Sequence, residues 1–185
     1  IARGSDAVSG PIQRGTMEMV LAQPVARLTV LTIHVSVTVL GAVFLGLCCF
    51  LGTAAGLATV PLEESISPLR FVAPSMNVAA LTFFVGGIAT MASSWGQYRH
   101  RTVGLVGGFY VISLVLEALG KMVVDLDWLR YFTFLAAFEP QRMVVDTAST
   151  WAMSLRYDGL LVGLGAAALV VSAAVFCRRD LPAPL

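Results

Sequence analysis

Glu117 and Lys121 stand four residues apart in an otherwise apolar run, with Glu before Lys, the order that favours an ion pair along one helix face. Ionisable groups inside a hydrophobic stretch are functional by default, so Glu117 is a candidate for a translocation pathway or a subunit seam. The other reading places the pair near a membrane interface, with Lys121 extended toward water. His34 is a second such candidate. A proton relay or metal centre there needs a partner, and the other histidine, His100, sits in a different stretch. A histidine bonded to a neighbouring backbone or helix is the competing assignment. Cys48, Cys49 and Cys177 lie in or at the end of apolar runs without ligand-like neighbours, as small apolar residues of buried helices do. No Ser/His/Asp or Cys/His arrangement presents itself, and no GxxxxGK[ST] loop is present to cradle ATP phosphates. No catalytic, cofactor-binding or metal-binding residue is therefore assigned.

These residues need elements to hold them, and composition says which kind. The 185 residues are 57% apolar and 12% charged, against about 25% charged in an ordinary soluble domain. A net charge of +1 implies no general attraction to nucleic acid. The expected fold is all-α, a polytopic membrane helix bundle with four transmembrane helices at about 28–56, 75–95, 102–124 and 159–177. From Leu28 to Leu62 only His34 is titratable among otherwise uncharged residues apart from the cysteines, which predicts one long helix overhanging near Gly52–Thr59. Gly41, Gly46, Gly52 and Gly56 would let neighbours approach it closely. Pro61–Pro74 reads as a loop, and Arg99, His100 and Arg101 as a basic turn. The mixed stretch 125–157 reads as two short amphipathic segments divided by Pro140. Its Trp128, Tyr131, Phe132 and Phe134, with Trp151 and Tyr157, suit a membrane interface. Residues 178–185 form a short tail.

Residues 1–27 are polar. Pro11 suits the first turn of a helix, with Ile12, Met17, Val20 and Leu21 on one face and Gln13, Arg14 and Glu18 mostly on the other. Pro24 disfavours the α region at Gln23 and ends that helix, and Arg27 is the last charge before the first span. Arg3, Arg14, Arg27, Arg99, Arg101, Arg178 and Arg179 fall on one side of the four spans; Arg70, Lys121, Arg130, Arg142 and Arg156 fall on the other. The positive-inside rule then puts both termini in the cytoplasm. The chain starts at Ile1 without a signal-peptide pattern, and an upstream portion is expected.

The stretch RGTMEMVLAQPVAR (Arg14 to Arg27), preceded by GSDAVSG (Gly4 to Gly10), resembles the coupling-helix region of ABC-2 type transporter permeases. Gly15, Thr16, Glu18, Leu21, Pro24 and Arg27 match the family pattern, and Pro11 stands where many members carry Glu. The resemblance implies the last four helices of a six-helix permease, a cytoplasmic coupling helix and short outer interfacial helices. It further implies an inner-membrane subunit, working with a second permease copy and cytoplasmic ABC ATPase subunits that bind ATP and Mg. Arg14, Gly15, Thr16, Met17, Glu18, Val20, Leu21, Pro24 and Arg27 would form the ATPase-docking element. A helix that only lies on membrane lipid is the alternative for that segment. An apolar path suits a lipid-like or amphipathic substrate. For the whole chain, the alternatives are a membrane-integral enzyme and a membrane scaffold without transport.

Overall fold

A computed structural model describes residues 1–13, 27–60, 66–96, 98–145 and 150–178. Among these residues all regular structure is helical: α1 (Ala2–Ser5), α2 (Ser9–Gln13), α3 (Arg27–Thr59), α4 (Val72–Trp95), α5 (Arg99–Met122), α6 (Pro140–Val145) and α7 (Thr150–Arg178). Short 3-10 segments occupy Pro68–Phe71, Val124–Phe132 and Phe134–Ala137. Four helices are long and apolar enough to cross a membrane: Thr29–Thr59, Pro68–Trp95, Arg99–Met122 and Thr150–Arg178. The shortest, at 24 residues, spans about 36 Å, more than the roughly 30 Å of a hydrocarbon core. The chain is thus a multi-pass membrane protein in length and composition. In α4, 44% of the apolar window is buried inside the chain, against 11% in α3, so most of the apolar surface of α3 faces outward.

Element boundaries differ from expectation where charge was taken to mean water. The second helix begins at Val72 rather than Ser75, because Pro74 falls in its first turn, where no intrahelical N–H is needed. Arg99, His100 and Arg101 are not a turn but the first turn of α5, which runs to Met122 rather than 124. Arg99 Nε lies 3.6 Å from Asp6 Oδ1, and the Arg101 guanidinium lies 5.1 Å from the Tyr98 ring centroid. These contacts offset cations placed at a helix N-terminus. The last helix starts at Thr150 rather than Gly159; Arg156 and Asp158 are helical residues within it. Between α5 and α7 the described residues make 3-10 turns and a short helix from Pro140, and Phe134 is buried rather than exposed at an interface.

Contacts divide the chain into two compact units. The first comprises Ile1–Val39, Phe84–Ile112 and Leu164–Leu185. Its core includes Ala7, Val8, Leu31 and Phe176, all at most 4% exposed. The segment 4–10, which reads as polar, is therefore packed against this core, with Ser5 and Ser9 fully buried. The Ser93 hydroxyl explains how: it accepts the backbone N–H of Val8 at 3.1 Å and of Ser9 at 2.9 Å, and donates to the Ser5 carbonyl at 3.0 Å. One side chain thus serves the N–H of Ser9, the first residue of α2, and that of Val8 before it. α4 and α7 touch backbone to backbone here, since a Cβ on Gly87 would lie 2.7 Å from the Gly165 carbonyl oxygen.

The second unit comprises Leu40–Phe83 and Ser113–Gly163. Leu161, Met143 and Ala73 are buried in it. Of the four glycines expected to admit close neighbours along α3, Gly46 alone does so among the described residues, against Ser75 and Ala79; Gly41, Gly52 and Gly56 face open space.

Candidate functional site

The polar residues of the second unit gather around Arg130. On α5, Glu117 and Lys121 are one turn apart, with Lys121 Nζ 3.1 Å from Glu117 Oε1. The helix ends at Met122, Val123 is extended, and the 3-10 segment Val124–Phe132 turns the chain back. The aliphatic stem of Arg130 then lies across Gly120, where a Cβ would sit 2.5 Å from Arg130 Cγ. That passage brings Arg130 Nε to 3.3 Å from Glu117 Oε1. Thr133 is extended and interrupts the 3-10 winding, which aims its hydroxyl at Glu117 Oε2 at 2.9 Å. Glu139 precedes Pro140 at the start of α6 and accepts a hydrogen bond from the far end of the Arg130 guanidinium.

Glu117 and Glu139 are 7% and 6% exposed, so both carboxylates are withdrawn from water and held by charge. Glu117 is engaged by Lys121, Arg130 and Thr133, and it acts as the anchor of Arg130. Lys121 is half exposed and reaches outward, as the interface reading expects. Arg142 Nε is 3.0 Å from Glu139 Oε2, an ion pair only, because that oxygen receives no hydrogen bond among the described residues. A cleft of about 440 Å³ opens beside this cluster, lined by Arg130, Arg142, Arg156, Tyr131, Tyr157 and Leu160 among others.

A second buried polar group lies in the same unit. Asn77 of α4, fully buried, donates to the Ala137 carbonyl at 3.0 Å and to Asp158 Oδ1 at 2.7 Å. Ser154 donates to Asp158 Oδ2 at 2.5 Å. Among the described residues Asn77 Oδ1 has no hydrogen-bond partner. Swapping the amide would set that oxygen against two acceptors, so the orientation is fixed by its neighbours.

Of the residues singled out in sequence, Glu117 is brought into a site and His34 is half-buried in the other unit, its carbonyl accepting from Thr38 at 2.9 Å. Arg27 opens α3. Arg14, Gly15, Thr16, Met17, Glu18, Val20, Leu21 and Pro24, the docking element, lie outside the described residues, as do Pro61–Ser65, 146–149 and the tail beyond Arg178. Arg130, Glu139, Asn77 and Asp158 were not legible as a site. Their only sequence signal is charge or amide within or beside a span, without spacing that pairs them. No protein-family model matches the chain, and no significant match is found among curated proteins or solved structures.

Proposed function

We propose that the chain is the membrane-spanning permease subunit of an ABC-2 type exporter, coupling ATP hydrolysis in a separate ATPase subunit to substrate export. The observation that carries this reading is the stretch Arg14–Arg27, which matches the family's coupling-helix pattern and leads directly into the first of four spanning helices. Both termini would then be cytoplasmic, the subunit would sit in the inner membrane beside a second permease copy, and the 124–145 segments would lie on the outer side. Motion of the ATPases on binding ATP would be delivered through the docking element, with Met17, Val20 and Leu21 in a groove and Arg14 and Glu18 at its rim.

The test is co-purification with an ABC ATPase subunit, together with ATPase activity of the complex. Glu18→Lys should weaken assembly. Leu21→Asp should weaken it more, by about 2 kcal/mol or roughly thirtyfold in affinity, as for an anchor in a desolvated groove. Membrane insertion should survive both. Unchanged assembly and activity with Leu21→Asp would refute docking through this segment.

A further inference from the structure

We infer that the cleft beside Arg130 binds the phosphate head of an amphiphile, held by Arg142 and Arg156. Arg156 is exposed on α7 and has no hydrogen-bond or ion-pair partner among the described residues. A guanidinium near the end of a spanning helix, with no such partner among the described residues, favours an anion beside it. The Arg142 side chain is 63% exposed and is ion-paired to Glu139 without a hydrogen bond to the oxygen it faces. Its guanidinium fork therefore keeps donors for another acceptor. Glu139, the carboxylate lining the same cleft, does not oppose an incoming anion strongly, because Arg130 already covers its other oxygen.

Two guanidiniums with spare donors match a phosphate, which accepts paired N–H groups in that geometry. Tyr131 and Tyr157 add phenolic groups to the lining. Ala136, Ala137 and Leu160 supply apolar wall, which a bare phosphate would not use and an acyl chain would. The volume of about 440 Å³ is that of an ordinary small-molecule pocket. This deepens the exporter reading by naming a substrate class, and rests on that reading for transport but not for binding.

The test titrates the full chain, purified in detergent, with dihexanoyl phosphatidic acid, dihexanoyl phosphatidylcholine and inorganic phosphate, following binding by calorimetry. Phosphatidic acid should bind more tightly than either comparator. Arg156→Gln should weaken it roughly tenfold, the loss expected of one charge-assisted hydrogen bond. Adding Arg142→Gln should weaken it further, and Arg156→Lys should recover part. Since Arg156 makes no hydrogen bond or ion pair among the described residues, the thermal midpoint of Arg156→Gln should match wild type. Undiminished binding by the double variant, or equal binding of phosphatidylcholine, overturns the site. Equally tight inorganic phosphate overturns the amphiphile. In the complex with its ATPase, phosphatidic acid that raises ATP turnover in wild type but not in Arg156→Gln marks a transported molecule. Binding without effect on turnover marks a resident lipid and overturns the substrate assignment. Failure of ATPase docking would remove the exporter reading and leave the binding result standing.

Discussion

Asn77 on α4 gives its side-chain amide to Asp158 on α7, 2.7 Å away and 81 residues on in sequence. The half-buried carboxylate gains a donor, and the fully buried amide gains an acceptor. Asn77→Ala should lower stability by about 1–2 kcal/mol, the upper range for a polar contact between membrane helices. The double variant with Asp158→Ala should lose less than the two single losses combined, because removing both partners leaves no stranded charge. Thermal unfolding of the purified chain and its three variants closes that cycle.

Glu117 and Lys121 should separate sharply on substitution despite being ion-paired. Glu117→Ala strands Arg130 beside a single remaining carboxylate, and a loss of about 3 kcal/mol is expected for a broken buried pair. Lys121→Ala removes a half-exposed ammonium, with a loss of at most about 1 kcal/mol. Glu117→Gln, which keeps the shape, should retain more stability than Glu117→Ala and still alter transport if this anchor matters to function. The readouts are the unfolding midpoint and, under the proposed exporter reading, substrate export by the complex.

Ser93→Val should release the N-terminal stretch. It removes the hydroxyl that serves Val8 and Ser9, leaving two buried backbone N–H groups without a partner. A cost of about 1–3 kcal/mol is expected. Hydrogen exchange should show it as faster exchange at Val8 and Ser9, with the amides of α5 unchanged.

Orientation is open to direct labelling. With native cysteines replaced, a cysteine at Val145 should react with an impermeant thiol reagent in intact cells, and one at Tyr98 should not. Both positions are solvent-accessible in the chain itself, at 84% and 46% exposure, so access to the reagent reports the side of the membrane. Labelling at position 98 from outside would reverse the proposed topology.

Hydropathy made the four helices legible, since long apolar runs leave few alternatives in lipid. Helix ends were less so. Arg99, Arg156 and Asp158 read as markers of water, yet Arg99 and Asp158 have partners inside the protein and Arg156 opens onto a cleft. The pairing of Glu117 with Lys121 followed from helix period. Its pairing with Arg130 did not, because that contact depends on a chain reversal through 3-10 turns and on the missing side chain of Gly120. GSDAVSG reads as polar, and nothing local announces that Ser93, 84 residues from Ser9, will satisfy its backbone.

The length of α3 sets a condition on the bilayer around it. Its apolar run of 31 residues measures about 46 Å, and even at a steep tilt of about 40° it covers roughly 36 Å along the membrane normal. A hydrocarbon core of about 30 Å leaves roughly 6 Å unmatched. About one turn at the Thr59 end must therefore stand among the headgroups or draw the lipid thicker around itself. Thickness would then act on this protein as a variable of its own, and a bilayer of longer acyl chains would hold α3 more upright than a thin one.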